Sequence, residues 1–241
     1  MKIKRLFRLA LFPALFLLAA GPVFAEIITF TADKMAGYSG DTSDYTKLEG
    51  NAVIKTTKIE ISADLVELSG DDFRFITATG RVKGRNIESD MDFSCDSMYY
   101  DRKTEIVTLR TNAEILDHQN EVSAKSQLIE YNQKTEIAIM QIDVELKQKR
   151  SLCTAAFAIY RKQEQMLEMN GNPQIKRDDD LFRAREITLN MDTEDILLDG
   201  RVRGSVTSKD TAEAEGSAPA ASPEETVSPV STPESPPEAA Q

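Results

Sequence analysis

The chain has 241 residues, a formal net charge of −11 at pH 7, one histidine and two cysteines. A chain of this length forms one large domain or two small ones. The acidic balance argues against nucleic acid or an anionic membrane surface as the main partner, because either would repel it.

The first 25 residues have the pattern of a secretory signal peptide. Four basic residues lie within the first eight positions, and an uncharged run follows from Leu9 to Ala20. This run is shorter than the roughly 20 apolar residues that span a bilayer. Small residues before the cut point predict cleavage after Ala25, which places the mature protein in the periplasm. The alternative is an uncleaved anchor, which would hold the chain in the inner membrane.

Two short signatures recur along residues 26–206. The first signature begins six segments, which start 29 to 32 residues apart: Phe30-Thr-Ala-Asp33, Ile61-Ser-Ala-Asp64, Phe93-Ser-Cys-Asp96, Val122-Ser-Ala-Lys125, Cys153-Thr-Ala-Ala156 and Phe182-Arg-Ala-Arg185. The second signature follows within each segment: Leu48-Glu-Gly-Asn-Ala52, Ala78-Thr-Gly-Arg-Val82, Leu109-Arg-Thr-Asn-Ala113, Met140-Gln-Ile-Asp-Val144, Met169-Asn-Gly-Asn-Pro173 and Leu198-Asp-Gly-Arg-Val202. A period of this length indicates a repeat architecture.

Within each repeat the apolar residues alternate with polar ones, which predicts β-strands. Polar clusters such as 101–104 and 117–120 separate the strands and predict hairpin turns. The alternation slips by one residue after Ala63, Cys95 and Ala184, so we expect a corner at each of these points. The glycine of the second signature predicts the matching corner on the returning strand.

These patterns predict an all-β fold. We expect an elongated antiparallel β-jellyroll of two facing sheets, built from six bent-hairpin repeats and open at both ends. Residues 207–241 contain six of the nine prolines and seven acidic residues. Such a segment buries too little apolar surface to fold, so we expect a disordered acidic tail.

The signatures also resemble a known family. Phe30-Thr-Ala-Asp-Lys-Met35, Gly50-Asn51 and Ile61-Ser-Ala-Asp64 are similar to the LptA/OstA-like family of periplasmic lipopolysaccharide-transport bridge proteins, and the resemblance covers residues 28–205. It implies a lipid-binding jellyroll that holds acyl chains inside and takes part in outer membrane biogenesis. It also implies head-to-tail homo-oligomers and OstA-like transport partners in the inner and outer membrane.

The residues expected to bind lipid are the apolar residues that begin the two signatures and face inward. They are Phe30, Leu48, Ile61, Phe93, Leu109, Met140, Met169, Phe182 and Leu198. The first and last strands of an open sheet leave unpaired backbone groups, so we expect them to dock partner strands. The docking edges contain Ile27, Ile28, Phe30, Val202 and Val206.

The other candidate residues do not have the patterns of a disulfide, a metal site or a catalytic site. Cys95 and Cys153 fall in different columns of repeats that are two apart, which predicts two buried, unpaired thiols. His118 lies in an inter-repeat turn without metal-ligand spacing around it. Asp178-Asp179-Asp180 lacks the spaced ligands of a calcium loop and is typical of a solvated turn. We expect no cofactor, no metal and no enzymatic activity.

Three alternatives stay open at the level of sequence. The chain could be an inner-membrane-anchored member of the same export machine. It could also be a structural β-repeat scaffold without lipid cargo, or a carbohydrate-acting β-helix enzyme. A β-helix has one-way coils, whereas the two turns in each repeat here indicate a hairpin return.

Overall fold

The structure is a computed structural model that describes residues 27–39 and 44–207. Within these ranges, no helix is long and apolar enough to cross a membrane. The expected signal peptide and nearly all of the expected acidic tail lie outside the described residues. The described residues form strands β1 (Thr29–Thr31), β2 (Lys34–Ser39), β3 (Asp44–Lys55), β4 (Ile59–Gly70), β5 (Phe75–Asn86), β6 (Met91–Asp101), β7 (Ile106–Asp117), β8 (Val122–Asn132), β9 (Ile137–Gln148), β10 (Ser151–Arg161), β11 (Met166–Asn170), β12 (Gln174–Arg177), β13 (Asp180–Arg183), β14 (Glu186–Asn190), β15 (Ile196–Asp199) and β16 (Arg203–Ser205), with one 3₁₀ turn at Asp71–Phe73.

The strands form one open antiparallel sheet. From β3 to β10 each strand pairs with the next one along the chain. At one end β3 pairs with β2 along its first half and with β1 along its second half. At the other end β10 pairs with β11 along one half and with β12 along the other. The all-β antiparallel class is therefore confirmed.

Each long strand bends in its middle. The pairing of β3 with β4 shifts between Glu49 and Ala52, and the pairing of β6 with β7 shifts between Ser94 and Ser97. Two consecutive residues with positive φ stand at each bend of the returning strand, as at Gly50 (φ 75°) and Asn51 (φ 45°). Glycine adopts this region without steric cost. The prediction that the second signature marks a corner is confirmed.

The two halves of the sheet are continuous through these corners. The two facing sheets that we expected are the two halves of one folded sheet, because the strands run unbroken from one half to the other. The halves nevertheless face each other around a shared apolar interior, because the inward residues of both belong to one buried cluster. A bulge that keeps the backbone hydrogen-bonded on both sides explains why the sheet bends without breaking.

The register corrects one of the sequence signatures. Ala124 pairs with Ile115, which in turn pairs with Phe93, so Ala124 and not Val122 occupies the column of Phe93. The fourth copy of the first signature therefore begins two residues later than predicted. Val122 is buried all the same, because positions two residues apart on a strand point to the same face.

The aspartates of the first signature hold the corners by their side chains. Asp33 accepts a hydrogen bond from Asn51 Nδ2 at 2.9 Å, and Asp96 accepts one from Asn112 Nδ2, also at 2.9 Å. Asp64 pairs with Arg81 in the same way. At each of these corners the carboxylate binds the side chain of the second left-handed residue. The first and second signatures of a repeat therefore meet at its corner.

Candidate lipid-binding interior and polar slot

The interior between the two halves is lined by aliphatic, methionine and alanine side chains. Most residues predicted to bind lipid lie there and are buried, namely Leu48, Ile61, Leu109, Met140 and Met169. Phe93, Phe182 and Leu198 are partly buried and pack against the same cluster. Phe30 faces the interior beside Ile54 but is 41% exposed, because β1 is the last strand of its half.

The interior is filled by its own side chains. An apolar cavity between the halves, lined in part by Phe93, Val107 and Leu109, has a volume of only about 20 Å³. A tightly packed interior of this kind has no free space for an acyl chain. A guest can enter only if the two halves move apart or side chains repack, and methionine adapts to such repacking.

Opposite the corners, the turns of the two halves form two rows. The first turn row comprises residues 71–74, 102–105, 133–136, 162–165 and 191–195, which end the half that contains β2. The second turn row comprises residues 56–58, 87–90, 118–121, 149–150 and 178–179, which end the half that contains β1. We call the gap between the rows the slot.

Polar contacts cross the slot along its length. Lys58 of the second row lies 3.0 Å from Glu105 of the first row, and Arg150 lies 3.3 Å from Glu194. The two rows are thus joined by ion pairs over an apolar interior. Polar groups lie at the slot and apolar groups lie beneath it, which matches the polar headgroup and the apolar chains of an amphiphile.

One contact that crosses the slot is almost fully buried. Lys162 Nζ lies 3.2 Å from Asp117 Oδ1, with side chains that are 4% and 0% exposed. Lys162 also donates to the carbonyl oxygen of Ser89 in the second turn row. Asp117 accepts further hydrogen bonds from Tyr160 Oη at 3.1 Å and from Asn120 Nδ2 at 2.8 Å. These bonds satisfy the carboxylate, as burial of a charge demands.

A column of tyrosines underlies the first turn row. Tyr100, Tyr131 and Tyr160 are linked through the strand register by Val107 and Ala138. Tyr100 Oη donates to Gln133 Oε1 at 3.2 Å, and Tyr160 bonds to Asp117. Among the residues that the structure describes, the hydroxyl of Tyr131 has no hydrogen-bond partner. Burial raises the pKa of Tyr131 to about 12, so its hydroxyl keeps its proton at neutral pH.

Sequence reasoning missed this polar network. Lys162 stands in the polar turn Arg161-Lys-Gln-Glu164, where a lysine is typical of a solvated loop. The tyrosines did carry a signal, because they recur near the repeat period, two residues before each turn of the first turn row. Their hydroxyls need polar partners when buried, which would have indicated a polar boundary to the interior.

Both predicted docking edges carry exposed apolar side chains. Ile27 and Val206 are exposed, as is Val202, while Ile28 is partly buried against the core. Met35 and Tyr38 on β2 are exposed beside the first edge, and Leu197 on β15 is exposed beside the second. Each edge strand pairs on one side only within the described residues. That each edge binds a partner stays a prediction.

The other candidate residues are structural. Cys95 and Cys153 are buried and unpaired, and burial raises the pKa of their thiols to about 11 and about 12. His118 Nε2 lies 2.7 Å from Asp92 Oδ2 in an exposed turn. Asp178 lies 3.1 Å from Arg150, and so belongs to the ion pairs of the second turn row.

This architecture, an open antiparallel sheet folded over an apolar interior with a polar slot along one side, is that of a β-jellyroll. The family model described as "LptA/(LptD N-terminal domain) LPS transport protein" matches residues 30–151 and 135–195. The match covers more than half of the chain, which therefore belongs to the LptA/LptD N-terminal domain family of lipopolysaccharide transport proteins.

The chain is also similar to solved structures. One of sixteen matching chains is LptH of Pseudomonas aeruginosa, described as the LptA-homologous periplasmic component of the lipopolysaccharide transport device. The similarity has a TM-score of 0.47 at 9% sequence identity, and covers 50% of this chain and 97% of LptH. No curated protein matches the chain.

Proposed function

We propose that the chain is a periplasmic lipid-transfer protein that holds the acyl chains of lipopolysaccharide, or of a similar amphiphile, between the two halves of its sheet. The observation that carries the proposal is the division between the buried apolar interior and the polar slot that borders it. Acyl chains lie in the interior, and the sugar headgroup stays in water at the slot. Membership of a family of lipopolysaccharide transport proteins supports this reading.

The energetics favour tight binding with easy exchange between like sites. Each methylene that moves from water into an apolar interior gains about 0.8 kcal/mol. A lipid with several chains would therefore leave for water very slowly. The lipid can pass to an equally apolar interior of a neighbouring molecule without losing this free energy. Transfer therefore requires apolar interiors that are continuous from one molecule to the next.

Photocrosslinking in the living cell tests the cargo. A photoreactive residue at Leu109, which is buried and faces the interior, is expected to crosslink to lipopolysaccharide. The same residue at the exposed neighbour Arg110 is the matched control and is expected to give no lipid adduct. Lipid at neither position would contradict the proposal and favour a structural scaffold.

The open edges support the second part of the proposal, a bridge between the inner and outer membrane. Copies of the chain associate head to tail, and the terminal copies pair with OstA-like transport partners of each membrane. Exposed apolar side chains beside unpaired strand edges favour such strand addition. Photoreactive residues at Ile27 and at Val206 are expected to give subunit-to-subunit adducts, whereas the exposed mid-sheet residue Lys147 is expected to give none.

The mature amino terminus separates this proposal from a membrane-anchored member of the same machine. Cleavage after Ala25 is expected, so sequencing of the mature protein should begin at Glu26. An amino terminus that begins at Met1 in a membrane fraction would instead support the anchored alternative.

A further inference from the structure

A cleft opens from the slot between two of the contacts that cross it. It lies between the Lys58–Glu105 pair and the Lys162–Ser89 contact and has a volume of about 400 Å³. Its lining includes Asn86, Ser89 and Gln133. Asn86 and Gln133 also line the small apolar cavity beneath, together with Leu109 and Tyr131. The cleft therefore stands at the boundary between polar slot and apolar interior.

Three polar atoms at this boundary are buried and have no hydrogen-bond partner within residues 27–39 and 44–207. They are Ser89 Oγ, Tyr131 Oη and Gln133 Nε2. The side chains of Ser89 and Tyr131 belong to residues that are only 5% and 6% exposed. The Ser89 side chain lowers the pKa of Tyr131, against the effect of burial, so the two hydroxyls lie close together. Among the described residues, neither hydroxyl has a hydrogen-bond partner of acceptable geometry. An unsatisfied buried polar group costs free energy that a bound acceptor would recover.

All three atoms can donate a hydrogen bond. Gln133 Oε1 already accepts from Tyr100, which leaves its amide N–H groups for a ligand. Hydroxyls and an amide N–H group suit a neutral carbonyl oxygen.

The charges on the rim disfavour a phosphate. The lining contains the two lysines Lys58 and Lys134 and the three carboxylates Glu88, Glu105 and Glu136. Lys58 is already paired with Glu105, and Lys134 Nζ donates to the carbonyl oxygen of Lys103. An anion would meet an excess of negative charge at this place.

We infer that this cleft binds the ester or amide carbonyls that join fatty acyl chains to the headgroup of an amphiphile, with Ser89, Tyr131 and Gln133 as the donors. The inference rests on the proposed function, since it names the part of the lipid that lies at the boundary of the interior. The acyl chains below it enter the interior around Phe93 and Leu109 as the two halves move apart or the side chains repack. The headgroup projects through the slot between the two turn rows.

Two lipids that differ only in their carbonyl groups measure the contribution of the carbonyls to binding. Short-chain phosphocholine with two ester-linked chains and its ether-linked counterpart have the same headgroup and chain length, but only the ester has carbonyls. The full-length mature protein is expected to bind the ester lipid about five- to tenfold more tightly than the ether lipid by titration calorimetry, which corresponds to one or two neutral hydrogen bonds. Purified lipopolysaccharide is expected to displace the ester lipid, which would identify it as the better occupant.

Two substitutions test the donors. Tyr131→Phe and Ser89→Ala are each expected to reduce the preference for the ester. The double variant is expected to reduce it further, because only the Gln133 donor is left. The control is Tyr45→Phe, because the Tyr45 hydroxyl bonds to Glu67 at 2.6 Å and neither residue lines the cleft. Its preference for the ester should equal that of the parent protein.

A second measurement distinguishes a ligand-binding hydroxyl from a structural one. Without lipid, Tyr131→Phe is expected to leave the urea midpoint unchanged or to raise it, because no bond is lost. Tyr160→Phe is expected to lower the midpoint, because its hydroxyl bonds to Asp117 at 3.1 Å. Equal losses in both variants would show that Tyr131 has a structural role.

The outcomes separate the two proposals. One outcome is that lipopolysaccharide crosslinks at Leu109 while the ester and ether lipids bind equally well. This outcome would support the proposed function and overturn the carbonyl site, leaving water as the occupant of the cleft. The opposite outcome is an ester preference that depends on Tyr131, with no lipopolysaccharide adduct at Leu109. This outcome would support the carbonyl site and overturn the proposed cargo. Failure of the parent protein to bind either lipid would overturn the site.

Discussion

The ammonium group of Lys162 lies 3.2 Å from the carboxylate of Asp117, and both side chains are almost fully buried at the slot. Lys162 lies in the first turn row and Asp117 ends β7 beside the second turn row, so this pair joins the two halves of the folded sheet. Five donors surround the carboxylate: Lys162, Tyr160 Oη, Asn120 Nδ2 and the backbone N–H groups of Gln119 and Asn120.

Removing the lysine should therefore lower the stability of the folded protein. Lys162→Met is expected to lower the free energy of unfolding by about 3 kcal/mol in urea denaturation, because it leaves a buried carboxylate without its counter-ion. Adding Asp117→Asn should recover part of this loss. Lys147→Met is the control, since Lys147 forms an exposed pair with Glu145 and should change stability by less than about 1 kcal/mol. A loss equal to that of the control would contradict the structural role assigned to the pair.

Two corners carry β-branched residues where other corners carry glycine. Ile142 has a φ of 65° and is 58% exposed, so it bears the strain of a left-handed backbone without gaining burial. Ile142→Gly is expected to raise the free energy of unfolding by about 1 kcal/mol, because the left-handed region costs a side-chain-bearing residue about that amount.

An exposed strand residue away from a corner supplies the comparison. Leu116→Gly, on β7, should destabilise the protein by about 0.5–1 kcal/mol, because glycine loses more backbone entropy on folding. If Ile142→Gly destabilised the protein as much as Leu116→Gly does, the left-handed conformation of Ile142 would be wrong.

Asp101 links stability to pH. The Arg74 guanidinium, with backbone and hydroxyl groups of the turn at 103–104, holds the pKa of the Asp101 carboxyl well below its usual range. A carboxyl whose pKa is lowered in the folded state stabilises that state above the unfolded pKa of about 4. This contribution is lost as the pH falls from there toward the folded pKa.

The matched variant is Asp101→Asn, which keeps the shape and removes the charge. It should destabilise the protein at pH 7, and the difference from the parent protein should shrink as the pH falls below about 4. Urea midpoints measured across this range give the test. A difference that did not depend on pH would mean that the charge of Asp101 contributes nothing.

Phe93 occupies the space beside a glycine on the neighbouring strand. A Cβ atom at Gly84 would lie 2.1 Å from Cζ of Phe93 and 2.7 Å from the carbonyl oxygen of Glu60. Gly84→Ala is therefore expected to destabilise the protein by about 1–3 kcal/mol through overpacking. Combining it with Phe93→Leu should recover part of the loss, which a double-mutant cycle would measure as coupling between the two sites. Additive losses would show that the ring does not fill this space.

The thiols provide a test of burial. Neither Cys95 nor Cys153 is expected to react with a thiol reagent at pH 8 in the folded protein, because burial raises both pKa values and closes access. Both should react once urea unfolds the chain. Reduction should not change the mass, whereas a gain of two hydrogens would reveal a disulfide.

Much of the fold could be predicted from local sequence. Alternation of period two indicated the strands, and Gly50, Gly80, Gly171 and Gly200 marked corners because glycine accepts positive φ. The slot could not be predicted in the same way, because Asp117 and Lys162 are far apart in sequence and each stands beside a polar turn. The fourth repeat was misaligned by two residues, since Val122 and Ala124 lie on the same face and fit the apolar pattern equally well.

The corner geometry also bears on how such a molecule changes in evolution. Each hairpin contributes one strand pair to both halves of the sheet and holds its own corner through contacts such as that of Asp33 with Asn51. Loss or duplication of one hairpin would therefore shorten or lengthen the stack by about 10 Å, two strand spacings, while its cross-section stayed the same. Gene duplication can therefore change the length of the stack by whole hairpins, while the surface that each hairpin presents to a bound lipid stays the same.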